Sequence, residues 1–212
     1  MTAASIVCRR FARMLALVAA FCAVGAAHAD AGLVLQGGLR AGSGFKSANG
    51  GDESLLLRSG GAASLAFEWS YDDHRLWQVF ASRQRTRLVL GPAAAPGTAQ
   101  DMPLEITHLH IGGVNYFEGP VGAGPYVVGG LGITQLSPRL PGTESRVRAS
   151  MNLGIGHEWS LAKALAVRAE LRAHVVLINS SGALFCSGGC TVAIRGDTLT
   201  QAEAAVALRL AF

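Results

Sequence analysis

From residue 201 to residue 212 apolar and polar-or-small side chains alternate without a break. Ala202, Ala204, Val206, Leu208, Leu210 and Phe212 fall on one side; Gln201, Glu203, Ala205, Ala207, Arg209 and Ala211 fall on the other. Side chains of a β-strand point to opposite faces in turn. The segment therefore reads as a strand with an apolar outer and a polar or small inner face. Residues 164–177 repeat the pattern, with Leu165, Val167, Ala169, Leu171, Ala173 and Val175 opposing Arg168, Glu170, Arg172 and His174. The same alternation runs through residues 150–159 (Met151, Leu153, Ile155 and Trp159 against Asn152 and Glu158) and through 64–70 (Leu65, Phe67 and Trp69 against Glu68). It marks a first strand, in which Leu33, Leu35, Leu39 and Ala41 oppose Gln36 and Arg40. It also marks a third, in which Trp77, Val79 and Ala81 oppose Gln78 and Ser82.

Residues 104–117 and 126–136 are rich in strand formers, but their alternation drifts at Gly112-Gly113 and Gly129-Gly130. Glycine pairs in strands mark bulges or close backbone approach. With these two, the chain holds eight predicted strands. The connections between them sort by parity. Residues 43–54, 88–103, 137–146 and 178–199 are polar, Gly/Pro-rich and mostly long, whereas 71–74, 118–124 and 160–163 are short. Transmembrane barrels have short periplasmic turns and long external loops, while a water-soluble sandwich has no reason to sort its loops this way. The expectation is an all-β, eight-stranded, antiparallel up-and-down transmembrane barrel with both termini periplasmic.

The start of the chain fits that destination. Arg9, Arg10 and Arg13 precede an apolar run over residues 14–24, and Ala27-His28-Ala29 supplies a small-x-small cleavage pattern. The run is shorter than the ~20 residues of a spanning helix, and Phe21 disfavours a lipoprotein site at Cys22. Residues 1–29 are read as a secretory signal peptide and 30–212 as one barrel domain. Of 18 basic and 14 acidic residues in the whole chain, three arginines leave with the signal. The mature net charge is then +1, which gives no support for nucleic acid as a partner. Half of all residues are apolar and only 15% are charged, yet no stretch after residue 30 approaches 18 consecutive apolar residues. A closed sheet satisfies every backbone group in hydrocarbon without helices. In the exported, oxidising compartment Cys186 and Cys190 of FCSGGC are expected to form a local disulfide. Two cysteines without neighbouring histidines do not make a zinc site.

These features resemble the small outer-membrane β-barrel family, the OmpA-like and OmpW-like barrels, over essentially all of residues 30–212. The segments that carry the likeness are PYVVGGLGIT (residues 125–134), MNLGIGHEWSLAKALAVRAELRAHV (151–175), the FCSGGC loop and the terminal Phe212. The resemblance implies location in the cell outer membrane and insertion by the barrel-assembly machinery. Leu208, Leu210 and Phe212 would form the C-terminal assembly signal, although Ala207 and Leu210 stand where that family has a glycine and an aromatic residue. It implies no catalytic activity and no cofactor.

The familiar catalytic patterns fail. His157-Glu158 opens like H-E-x-x-H, but position 161 is Leu; Gly130-Leu131-Gly132 meets Gln135 where a dinucleotide fingerprint needs glycine. There is no nucleophile elbow and no phosphate-binding P-loop. His108 and His110 share a strand face, but no third metal ligand is identifiable beside them. The expectation is a non-enzyme.

Two groups of residues remain. Arg168, Glu170, Arg172, His174, Glu203 and Arg209 form a predicted lumenal set, with Glu203 or Glu170 as the expected partner of Arg168. An eight-stranded barrel has an interior just wide enough for side chains, and charges buried there must pair. The set therefore reads as a packed plug, with a narrow polar pathway as the alternative. Arg83, Arg85 and Arg87 share the lipid-facing parity of the third strand near its external end. There they would contact phosphates of lipopolysaccharide, unless they extend into solvent or a bulge turns them to the lumen mouth. The function this supports is a monomeric envelope-structural or surface-interaction role through four external loops, among outer-membrane lipid and lipopolysaccharide. The alternatives are a channel or transporter for small or apolar solutes and, more remotely, a lipid-modifying enzyme.

Overall fold

A computed structural model describes residues 31–43, 45–47, 54–90, 101–118, 120–139, 142–182 and 194–212. The signal segment, the tips of the longer external loops and both Cys186 and Cys190 lie outside the described residues. The described residues form ten strand segments: β1 (Ala31–Gly42), β2 (Phe45–Ser47), β3 (Ser54–Leu57), β4 (Gly60–Ser70), β5 (Arg75–Leu90), β6 (Asp101–Tyr116), β7 (Gly124–Pro138), β8 (Arg146–Ala162), β9 (Leu165–Gly182) and β10 (Ile194–Ala211). All pairings are antiparallel. The sheet runs β1-β4-β5-β6-β7-β8-β9-β10 and closes on itself through β1–β10. The short pieces β2 and β3 bridge β10 to β5 at the external end, prolonging β1 and β4. Eight staves therefore close the barrel, and among the described residues no long strand edge is left for another chain to pair with.

Closure joins the two ends of the described chain. Leu33 and Leu35 stand opposite Leu210 and Leu208, and Phe212 and Ala31 exchange backbone hydrogen bonds of 2.9 and 3.3 Å. At the same end, Asp72 accepts hydrogen bonds from the His74 amide and the Arg75 guanidinium (3.0 and 2.7 Å) in the β4–β5 turn. These donors hold its carboxyl below the ordinary range. Trp69 and Trp77 face each other across β4–β5 and Trp159 stands near the end of β8, so all three tryptophans gather at the short-turn rim. Such a girdle marks a membrane–water boundary.

The outward face of the staves is apolar: Leu35 and Leu39 on β1, Leu65 and Phe67 on β4, Leu109 and Ile111 on β6, Leu131 and Ile133 on β7, and on to Leu208 on β10, all exposed. No water-soluble monomer leaves a patch of that size uncovered; hydrocarbon is the solvent it fits.

The glycine pairs resolve as close approaches rather than bulges. Gly112 stands opposite Gly130 and Gly113 opposite Gly129 in an unbroken β6–β7 register. A Cβ at Gly112 would run into the Gly129 carbonyl, and one at Gly132 into the Leu109 carbonyl. The inward positions Gly112, Gly130 and Gly132 therefore leave no room for a side chain. The register shifts that do occur lie between Gly196 and Thr198 and between Ser160 and Ala162.

Several staves are longer than the alternation predicted. β5 and β6 continue through residues expected to be loop, to Leu90 and from Asp101; β9 reaches Gly182 and β10 begins at Ile194. The reason is an inversion of polarity. Near the external end the inward residues become apolar (Leu88, Leu104, Ile106, Leu136, Val176, Ile178 and Leu199, packed with Leu57). On β5, β6 and β7 the outward ones become polar or charged (Arg83, Arg85, Arg87, Glu105, Gln135), while Leu56, Val147 and Leu177 keep apolar side chains exposed on other strands. On β5–β7 this upper storey is built as a water-soluble protein is, with a hydrophobic core inside.

Candidate functional site

Two places gather polar chemistry, the lumen and the external rim. In the lumen, strand parity brings four arginines (Arg40, Arg168, Arg172, Arg209) and four glutamates (Glu68, Glu158, Glu170, Glu203) together, all buried. All six members of the set expected from the last two staves point there. Arg40 on β1, Glu68 on β4 and Glu158 on β8 complete it. Their signal was already in the alternation, since each occupies the polar face of its own strand.

Toward the short-turn end, Glu68 accepts two hydrogen bonds from Arg168 (Nη1 at 2.7 Å, Nη2 at 2.8 Å), one from Arg209 Nε (3.0 Å) and one from Gln78 (2.8 Å). Arg168 Nε also donates to Glu158, which in turn accepts the Tyr116 hydroxyl at 2.5 Å. The expected partners of Arg168, Glu203 and Glu170, are thus replaced by Glu158 and Glu68. Register explains the change. Glu158 stands directly opposite Arg168 on the neighbouring stave, while the long guanidinium arm crosses the lumen to β4. In the middle, Glu170 takes Arg172 Nε (2.7 Å), the Tyr126 hydroxyl (2.9 Å) and Gln36 (3.2 Å), and Arg172 lies 4.0 Å above the Phe80 ring.

Higher up, Glu203 binds Arg40, its direct cross-strand neighbour, through Nη2 (2.5 Å) and Nε (3.0 Å), and His174 at 3.2 Å. His108, His110 and His174 stack beside it, the closest rings 4.5 Å apart. The ring that joins the two β6 histidines is His174 of β9, a member of the lumenal set expected from the sequence. The rings face one another rather than converge, and His174 bonds Glu203 through Nε2 while its Nδ1 has no hydrogen-bond partner. His108 meets Thr134 and Gln201, and His110 meets Ser150 and Asn152. Among the described residues no group of three or more His, Cys, Asp or Glu is arranged to hold a metal. An apolar core around Leu57, Leu88 and Leu199 closes the network on the external side, and a second apolar cluster (Leu76, Val114, Tyr116, Tyr126 and Val128) packs beside the network, its two tyrosines donating into it.

At the rim, Arg83, Arg85 and Arg87 all point outward and are exposed. The β5–β6 register is continuous through them, so no bulge turns them to the lumen. Sequence reasoning missed their carboxylate, Glu105. It bonds Arg83 at 2.7 Å and Arg139 of the β7 end more closely still, with Arg85 at 3.7 Å. Leu208 and Leu210 lie on the outer belt, and Phe212 caps the β1–β10 seam.

No family model matches the chain, and no curated protein matches it. Solved structures do. Neisserial surface protein A superposes with a TM-score of 0.55 at 14% identity, over 85% of this chain and 97% of that one. The outer membrane protein OprG from Pseudomonas aeruginosa gives 0.51 at 11% identity, over 87% and 97%. The outer membrane protein AlkL, solved in lipid bilayers, gives 0.51 at 11% identity, over 90% and 94%. At such identities the likeness is one of fold, and the apolar girdle around a charged interior is this chain's own. The chain has the fold of the small eight-stranded outer-membrane β-barrels, and its surface is that of a protein seated in an outer membrane.

Proposed function

We propose that the barrel is a closed, non-enzymatic envelope protein whose lumen is structural and whose work is done at its external rim and loops. One observation carries this reading. The lumen is filled by an apolar core at the external end and, below it, by a charge-balanced Arg–Glu network with Tyr116 and Tyr126 packed among the charges. An ion would have to break buried pairs and cross that apolar core, and both oppose conduction through desolvation. A polar pathway would leave some of these charges facing water, whereas the four arginines and four glutamates are at most 6% exposed. The chain would enter the membrane through the barrel-assembly machinery and act as a monomer, since closure leaves no long strand edge free among the described residues.

The test is conductance of the purified protein in planar bilayers, with heat-modifiable migration in SDS as proof of folding. Folded protein should give no stable conductance above the lipid background. Large, stable channels from heat-modifiable protein would overturn the reading in favour of a transport role.

A further inference from the structure

Four aromatic rings stack together in the part of the lumen nearer the external end. His108 and His110 of β6 and His174 of β9 lie with ring centres 4.5 to 5.9 Å apart, and Phe80 of β5 stacks on His110 and His174. All three imidazoles are buried. Their partners show which charge state they are packed for. His108 meets Thr134 at 2.6 Å and Gln201 at 3.2 Å, and His110 meets Ser150 at 2.8 Å and Asn152 at 2.7 Å. All four partners are neutral. His174 does touch a carboxylate, Glu203, but Glu203 already takes two hydrogen bonds from Arg40.

The fixed charges facing this column come from three staves. Arg40 of β1 bears electrostatically on all three rings, and Arg172 of β9 on His110 and His174. β8 adds Arg148, half-buried and one inward step above Ser150. Arg40 is balanced by Glu203 and Arg172 by Glu170, while Glu68 and Glu158 are engaged by Arg168 and Arg209. The four buried arginines and four buried glutamates therefore cancel while the imidazoles are neutral. Beside the column, β4, β5 and β7 bring only neutral side chains, Ser64, Ser82 and Thr134 among them. Every proton the column takes up is then a positive charge with no carboxylate left to receive it. It faces the guanidinium groups and, from the second proton on, the first one. Unit charges within about 6 Å of each other repel strongly where water is excluded. Histidine in water takes its proton at about pH 6.5. We propose that the His108–His110–His174 column is an acid-sensitive latch: neutral, it packs the lumen, and protonated, it drives the surrounding network apart and slackens the barrel. The unfolded chain takes up these protons freely, so stability is full above that pH and falls as pH drops below it. The backbone ladder stays closed, and what is lost is resistance to heat. The latch rests on the reading of the lumen as a closed structural plug and names what regulates that plug.

The experiment takes the folded full barrel in detergent and measures the temperature at which its heat-modifiable band unfolds, from about pH 7.5 to about pH 5. Wild type should lose roughly 10 °C or more across that range. The variant H108Q/H110Q/H174Q keeps polar side chains but cannot take the charge, so its profile should be nearly flat, whatever its value at neutral pH. H74Q/H157Q changes the two described histidines outside the lumen and should keep the wild-type profile. A flat wild-type profile overturns the proposal, and that measurement needs no variant to fold. So does an acid loss that persists in the triple variant or vanishes in H74Q/H157Q. Should the triple variant not fold, H110Q alone should show a smaller loss than wild type, and an undiminished loss overturns the proposal. Planar-bilayer conductance at neutral pH tests the closed-barrel reading separately. Stable channels there overturn that reading, whereas a flat acid profile in a non-conducting barrel overturns the latch alone.

Discussion

Each guanidinium nitrogen of Arg168 has a partner: Nε in Glu158, Nη1 in Glu68, Nη2 in both Glu68 and the Tyr116 hydroxyl. Arg168→Leu would leave two buried carboxylates short of their main donor. Removing one partner of a buried pair costs about 3–5 kcal/mol. The variant should accordingly lower the temperature at which the heat-modifiable band unfolds, and adding Glu158→Gln should restore part of the loss. Equal melting of Arg168→Leu and wild type would mean that these groups face water. The Asp72–Arg75 pair is the control, being half-exposed in a turn, so Arg75→Leu should leave that temperature unchanged. Because the Asp72 carboxyl is held below its ordinary range, its contribution is present at neutral pH and is lost only as pH falls through that depressed value. Acidification should loosen this turn while the barrel persists. The sequence identified which residues face inward, because parity is a local property. It could not pair Arg168, because the partner across the lumen depends on barrel diameter and stagger.

At the scale of the strand, the alternation is legible wherever one solvent lies outside and one kind of side chain inside. It fails where the solvent changes. Leu88, Leu104 and Ile106 look like residues of a loop or of a reversed strand when hydrocarbon is assumed outside. In the structure they continue the inward face of β5 and β6 into a region surrounded by water. The drifting alternation at Gly112-Gly113 and Gly129-Gly130 has a different cause, since a Cβ at Gly112 or Gly130 would meet the neighbouring backbone. That gives a contrast between two glycines. Gly132→Val should abolish the heat-modifiable band, because its side chain would collide with the backbone of β6. Gly37→Val should fold normally, because a Cβ there meets nothing within 4 Å. Tolerance of both would show that the close approach at Gly132 relaxes at little cost.

For the whole molecule, the ladder extends well past the apolar belt, so arginines on the upper storey sit in paired backbone. Trypsin added to intact cells should spare the bonds after Arg83, Arg85 and Arg87 and confine its cuts to residues outside the ladder. Cleavage there, read by mass spectrometry, would mean that the upper strands come apart in water. The same ladder sets how far the protein reaches. β9 is 18 residues long, whereas a tilted strand crosses the bilayer in about ten. The remaining eight or so, at roughly 3.4 Å per residue and a tilt near 40°, lift the strand ends about 20 Å above the hydrocarbon. The barrel is thus a rigid pedestal. Its upper strand ends stand clear of the leaflet, so the described top of the barrel can be touched from outside without displacing a single lipid.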